Sequence, residues 1–308
     1  MFTTIPKKAL VALPDFSIVA PEQATVSAFD RSFHFGDSLY EVTRSYEGIL
    51  FSLEEHMRRL SHSAKLALFE VMPDTDRIAA MTREACRAFF RKYGNTDVYV
   101  RITVSRGVGD LNIDRRGASE PYALVFVKEF EPHAQKYYDN GAHYAVVSRR
   151  RNHPDALDPA MKSGNYLNNI LAMAEARARG ADDALMLNYQ GFVTEGTTNN
   201  VYAVKGNAVL TAPLSVGILA GITRDWIFQI CESEGVELKE KLFTVSELEG
   251  CQEMFLSSAT KEVMPITKLS GKPIGDGKPG PVTKKLHQAL KRLIAQYCEK
   301  YRSQSLYL

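Results

Sequence analysis

A chain of 308 residues is too long for one comfortable hydrophobic core, so two domains of unequal size are expected. Hydrophobic residues make up 45% and charged residues 24%, the composition of an ordinary globular protein, which excludes a disordered or low-complexity chain. The formal charge of +2 comes from acidic and basic residues mixed along the whole chain, which argues against nucleic acid or a membrane surface as the main partner.

The N-terminal stretch MFTTIPKKALVALPDFS has a short apolar run broken by Pro14. No later segment approaches the roughly 18 uncharged apolar residues of a membrane span. A strand is expected near Ile18, and the alternating AFDRSFHFGDSLYEVTRSYEGILFS predicts a hairpin turning at YEGIL. SLEEHMRRLSHSAKLALF predicts a helix opened by Ser52 with Glu55 three residues on, as in a capping box. A second amphipathic helix is expected from about Thr75 to Tyr93, ended by Gly94, and then DVYVRITVSRG and PYALVFVKEF read as strands. EFEPHAQK loses all periodicity and contains Pro132, so it is the candidate linker.

Beyond it, strands are expected at HYAVVSRR, DALMLN, GFVTEG, NNVYAVKG, AVLTAP and CQEMFLSS. Helices are expected at GNYLNNILAMAEARARG, GITRDWIFQICESEG and VTKKLHQALKRLIAQYCEKY. The fold class read from this order is α+β. It comprises a small α/β domain of hairpins and helices (1–129), a linker (130–136) and a larger domain with a mixed, barrel-like sheet (137–308). The cysteines Cys86, Cys231, Cys251 and Cys298 are far apart and form no C-x-x-C pair, so no metal site is expected and a reducing, cytoplasmic compartment is.

Five places carry candidate chemistry. Lys162, in MKSGNYLNNILA, reads either as an exposed amine or as an amine held partly out of water at the start of a helix that is apolar through Leu167, Ile170, Leu171 and Ala174. Glu195, in TEGTTNNVY, either caps a turn or sets a carboxylate against a ring nitrogen, which would keep that nitrogen protonated. Ile222 and Thr223, in ILAGITRDW, lie at a helix entry whose unpaired amides suit an anion, although Thr223 reads equally as a plain N-cap. Of the adjacent Arg58 and Arg59, one must point away from the other, so Arg59 is either solvated or turned inward. Tyr99 and Arg101 stand two apart and share a strand face, where they either grip a carboxylate or form a surface pair. The G-x-S-x-G, H-E-x-x-H, Walker and dinucleotide-binding glycine patterns are all absent, and His34 reads as a packed core residue.

In this order the segments FHFGDSLYE, EEHMRRLSHSAK, MKSGNYL, TEGTTNNVY, GITRD and SSATKEVMPIT resemble the class IV (fold-type IV) pyridoxal 5′-phosphate aminotransferases. That group holds branched-chain aminotransferases, D-amino-acid aminotransferases and aminodeoxychorismate lyases. The resemblance implies that Lys162 bonds covalently to the cofactor aldehyde and later moves the proton between the substrate α-carbon and C4′ of the cofactor. It implies that Glu195 pairs with the ring nitrogen and that Arg59, with the backbone around Ile222 and Thr223, holds the phosphate. Tyr166 is implied to lie near the phenolic oxygen, and Ser258 to Thr260 to supply further phosphate contacts and donors for the substrate carboxylate. Family members are commonly homodimers.

For the substrate, Tyr99 and Arg101 resemble the strand with which branched-chain aminotransferases recognise the acceptor carboxylate, and Tyr40 falls at their aromatic pocket wall. The Arg-x-His trap of the D-amino-acid enzymes is replaced by Leu111 and Ile113. Departures from the branched-chain pattern are a lysine loop shorter by one residue, Val42 after Glu41, and Ala259 where Thr is common. Arg115 and Arg116 stand in the unmatched loop GDLNIDRRG, either for a second carboxylate or for solvent. The expectation is a dimeric transaminase moving an amino group from an amino acid, with L-branched-chain donors favoured, to the 2-oxo acid 2-oxoglutarate. A D-amino-acid aminotransferase, an aminodeoxychorismate lyase and a cofactor-binding protein without catalysis are the alternatives.

Overall fold

Strict alternation builds the middle of the first sheet: in VYVRITVS the residues Val98, Val100, Ile102 and Val104 are buried, while Tyr99, Arg101 and Thr103 are half-buried on the opposite face. The structure, a computed structural model, describes residues 5–118 and 120–307. One compact unit runs to Glu131 and also takes in Met161–Asn165 and the chain from Ile294 onward. Its six strands are β1 (Ala9–Ala12), β2 (Ile18–Val19), β3 (Ser38–Tyr46), β4 (Ile49–Leu50), β5 (Val98–Ser105) and β6 (Tyr122–Glu129). They pair antiparallel throughout, in the order β2-β1-β6-β5-β3-β4. The expected hairpin turns at Glu47 and Gly48, both at positive φ, which suits a tight two-residue turn.

The helices of this unit are α1 (Arg31–Phe35), α2 (Leu53–Leu66) and α3 (Thr75–Tyr93). From α2 and α3, Leu60, Ala64, Ala85, Phe89 and Phe90 share a core with Val100 and Ile102. Asp74 caps α3 by accepting from the Arg77 N–H, and Gly94 ends it. The capping box expected on α2 does not form, because Ser52 sits at the N-cap with a φ of 57° and makes no side-chain cap bond there. The short α1, capped by Asp30 and ended by Gly36, was not expected. It carries His34 on the surface rather than in the core, with the ring Nε2 2.6 Å from the Ala28 carbonyl oxygen.

The second unit comprises Pro132–Ala160 and Tyr166–Leu293. Its strands are β7 (Ala142–Arg150), β8 (Asp183–Leu187), β9 (Val193–Gly196), β10 (Asn200–Lys205), β11 (Ala208–Thr211), β12 (Glu237–Glu240), β13 (Glu253–Ser258), β14 (Glu262–Leu269) and β15 (Lys272–Pro273). They run in the order β12-β11-β10-β13-β14-β7-β8-β9, with β15 added to β14. The sheet is mixed: β7 is parallel to both β8 and β14, and β11 to β12, whereas the other pairs are antiparallel. The chain is thus α+β, with one antiparallel and one mixed sheet.

The helices here are α4 (Lys136–Asn140), α5 (Pro154–Leu157), α6 (Leu167–Ala178), α7 (Ile222–Ser233), α8 (Val245–Glu249) and α9 (Pro281–Lys300), the last turns of α9 belonging to the first unit. On α6 the buried residues are Asn169, Ala172 and Ala176. Leu167, Ile170 and Leu171, which read as a packing face, are 65%, 57% and 39% exposed.

Beyond the 130–136 stretch, the chain changes unit at three more points, and β3 accounts for the two on either side of Met161–Asn165. Ser163 bridges Leu39, the Tyr40 N–H donates to the Lys162 carbonyl at 3.0 Å, and the Gly164 N–H donates to the Ser38 carbonyl at 2.7 Å. These bonds seat the lysine segment on the first sheet.

Candidate active site

In the first unit, β3 and α2 converge on one carboxylate. Glu41, at 0% exposure, accepts from Arg59 Nε at 2.9 Å and from Arg59 Nη2 at 2.6 Å, and His56 Nδ1 lies 2.7 Å from its Oε2. His56 and Arg59 stand three apart on α2 and therefore share a face. Arg58 turns outward to Glu55, with its side chain 72% exposed. Burial works to raise the affinity of Glu41 for a proton, but the Arg59 guanidinium and His56 outweigh it and hold its pKa down to about 2. Burial pushes the His56 pKa below the usual value, helped by the charges of Arg59 and Lys162 and opposed by Glu41.

A second cluster gathers on the ring of Tyr40, a buried β3 residue. Lys162 Nζ lies 3.3 Å from the Tyr40 hydroxyl and 4.3 Å from the ring centroid. Arg101 on β5 places its guanidinium carbon 3.9 Å from the same centroid, a cation–π distance. The lysine is fixed from behind as well, since its backbone N–H donates to Ser63 Oγ at 3.2 Å. Tyr99 is raised above the usual phenol value by burial, against the charge and hydrogen bond of Arg101. Because β5 lies between β3 and β6, Tyr99 and Arg101 are not an edge-strand pair.

The second unit holds the other expected residues. Glu195 is buried on β9: its Oε1 accepts from Arg151 Nε at 2.8 Å, and its Oε2 accepts from the Leu219 N–H at 3.2 Å and Asn200 Nδ2 at 3.4 Å. At the start of α7 the N-cap is Gly221, with no side-chain cap, so Thr223 is the second residue of the helix and not its cap. A Cβ on Gly221 would come within 2.1 Å of Asn200 Oδ1, which is why glycine stands there. The amides of this first turn are the anion-binding groups of a helix N-terminus.

Tyr166 occupies the N-cap position of α6. Ala259 and Thr260 form the turn between β13 and β14, where Ser258 Oγ accepts from the Lys261 N–H at 3.2 Å. Buried Asp183 ties this turn to the one after Glu195, accepting from Lys261 Nζ at 3.3 Å, Thr197 Oγ1 at 2.6 Å and Asn199 Nδ2 at 3.0 Å.

In kind these groups fit pyridoxal 5′-phosphate: the first unit offers an amine suited to the aldehyde and a guanidinium suited to the phosphate, and the second offers a carboxylate suited to the ring nitrogen and helix amides suited to the phosphate. Arg115 and Arg116 are engaged locally, with Glu70 and Asp114 respectively, and Leu111 and Ile113 are exposed. Among the described residues, no group of three or more His, Cys, Asp or Glu side chains could hold a metal ion. Sequence reasoning missed His56, Asp183 and Arg151, and it gave Glu41 no role. Their only linear trace is weak: Arg151 ends the run Arg149-Arg150-Arg151, whose first two members are exposed.

The family described as Amino-transferase class IV matches residues 38–269. The chain is 35% identical over 273 residues to a putative branched-chain-amino-acid aminotransferase of Methanocaldococcus jannaschii, covering 89% of this chain and 92% of that one. It is 34% identical to the D-alanine aminotransferase of Bacillus licheniformis, covering 88% and 93% respectively. Among solved structures, the branched-chain amino acid aminotransferase of Thermobaculum terrenum in its PLP-form matches with a TM-score of 0.81 and 28% identity, covering 96% of this chain and 96% of that one.

Proposed function

Since the chain belongs to the class IV aminotransferases and is a pyridoxal 5′-phosphate-dependent transaminase, we propose that it moves the amino group of an L-branched-chain amino acid to 2-oxoglutarate. The observation that carries this reading is the Tyr40 ring, against which both a nucleophilic amine (Lys162) and a carboxylate receptor (Arg101) are held. An amine beside an anion receptor suits substrates that carry an amino or oxo group next to a carboxylate.

When bound, the cofactor supplies the aldehyde that takes up the amino group and the electron sink for the substrate α-carbon. With the cofactor bound, Lys162 would remove the α-proton and return it at C4′, and Glu195 would keep the ring nitrogen protonated. Arg59 would hold the phosphate, as would the amides at Ile222 and Thr223 with a contact from Thr260, and Tyr166 would lie near the phenolic oxygen. Tyr99 and Arg101 receive the distal carboxylate of 2-oxoglutarate, the backbone of Ala259 and Thr260 binds the α-carboxylate, and Phe35 and Tyr40 form the apolar wall.

Leu111 and Ile113 bring no charge to the positions of the D-specific trap, which favours L-substrates. The exposed Leu167, Ile170 and Leu171 on α6 support a homodimer, and four free, buried cysteines fit a reducing cytoplasm. The similarity to a D-alanine aminotransferase keeps D-amino acids as the second reading. Absorbance of the holoenzyme decides between them. L-leucine is expected to convert the cofactor to its amine form and 2-oxoglutarate to restore it. Response to D-alanine without response to L-leucine overturns the assignment, and pyruvate release without an acceptor marks a lyase.

A further inference from the structure

The carboxylate read as the ring-nitrogen partner has a buried cation of its own. Arg151 follows the last residue of β7, and its Nε meets Glu195 Oε1 at 2.8 Å with the two side chains only 9% and 6% exposed. Arg151 is anchored from two further elements, β8 through its backbone and α6 through its guanidinium. The Arg151 N–H donates to the Leu187 carbonyl of β8 at 2.9 Å, Nη1 donates to Asn168 Oδ1 of α6 at 3.4 Å, and Asn168 Nδ2 in turn donates to the Arg150 carbonyl at 2.8 Å. A buried carboxylate without a cation favours its neutral form. A neutral acid facing a pyridine nitrogen leaves that nitrogen without a formal charge, and the ring then stabilises a carbanion poorly.

An arginine cannot be neutralised by releasing its proton at ordinary pH, so the charge beside Glu195 is permanent. Coulomb energy falls with distance, so a ring nitrogen bonded to the carboxylate would feel the adjacent negative charge more strongly than the positive charge of the guanidinium behind it. We propose that Arg151 is a positioning residue that fixes where one proton resides: it holds Glu195 as a carboxylate and thereby leaves the proton on the cofactor ring nitrogen. The proposal rests on the reading of Glu195 as the partner of that nitrogen.

The test uses holoenzyme reconstituted with cofactor carrying ¹⁵N in the ring, whose chemical shift reports protonation of that atom. Wild type and R151K are expected to give the protonated shift. R151Q is expected to move toward the unprotonated value, with kcat lower by about tenfold or more, the size of one pKa unit in proton placement, and KM little changed. E195Q serves as the reference. If E195Q keeps the protonated shift, the reading of Glu195 fails. If E195Q loses it while R151Q keeps it, the role of Arg151 is overturned. A purely structural arginine would lower the unfolding midpoint of R151Q without moving the shift, which also overturns the proposal. Should R151Q not fold, R151K decides the matter, because a lysine variant that loses the protonated shift contradicts a role carried by charge.

Discussion

Both units bury a carboxylate against an arginine, and they use the pair in opposite senses. In the first, Glu41 is fully enclosed and takes both Arg59 and His56, so on the proposed reading the carboxylate serves the arginine and aims a guanidinium for an anion. In the second, Arg151 is fixed by β8 and α6, so on the proposed reading the arginine serves Glu195 and keeps a negative charge for a cationic ring. An ion pair seen in a structure therefore does not tell which member does the chemistry. What decides is which member is locked by the surrounding fold and which is read as facing the ligand.

The largest effect should come from breaking the second pair on its chemical side. Glu195→Gln is expected to lower kcat by about 10²–10³-fold, the scale of removing one electrostatic stabiliser, and to lower the unfolding midpoint as well, because Arg151 is left buried without its carboxylate. Steady-state kinetics with thermal unfolding of the same sample checks both halves of this expectation. Glu41→Gln should lose stability without that loss of kcat. Removing one partner of a buried pair costs about 3–5 kcal/mol of stability, so this variant should unfold early and lose cofactor on dilution. The protein that stays folded and loaded should keep kcat within a few fold. Equal losses of kcat in the two variants would erase the contrast between the units.

Acid should find the first unit weaker. The Glu41 pKa is held down to about 2, so its contribution is complete above the unfolded value near 4.5 and is lost as pH falls from there through about 2. His56 is also depressed. Its contribution is present above its unfolded value near 6.5 and is lost as pH falls toward its folded value, so the two groups destabilise in the same direction. Hydrogen exchange of β3 and α2 amides from pH 7 down to about pH 2 should report the opening. In Glu41→Gln the part of this acid sensitivity below pH 5 should disappear. If it persists, other carboxylates set the acid limit.

The groups proposed to do the chemistry were more legible in the sequence than the groups that hold them in place. Lys162, Glu195 and Arg59 stand in short ordered motifs, but Arg59 meets Glu41 across 18 residues and Arg151 meets Glu195 across 44, separations that no local period encodes. Elements followed the same rule. α3 was readable because both its apolar stripe and its closing glycine are local. β14 was not, because Pro265 lies inside it and a proline within a run argues against a strand, although here it pairs with Phe255. β12, with the sequence ELKE, is an edge strand whose charges hide it from a hydrophobic pattern. On α6 the apolar residues are exposed, so periodicity found a stripe without saying what the stripe faces.

The smallest predicted effect isolates the geometry of the first pair from its charge. Arg58 and Arg59 are neighbours with the same side chain on the same helix, yet Arg58 points outward to Glu55 at 3.1 Å and Arg59 inward to Glu41. An exposed pair three residues apart on a helix is worth only about 0.3–0.5 kcal/mol. Arg58→Ala should therefore shift the unfolding midpoint by about a degree and leave cofactor affinity unchanged. Arg59→Ala should strand a buried carboxylate and weaken cofactor binding at least tenfold, measured by fluorescence titration of the cofactor-free protein. Similar affinities in the two variants would mean that the electrostatic field of α2, and not the direction imposed by Glu41, attracts the phosphate, and the first unit would then contribute charge without orientation.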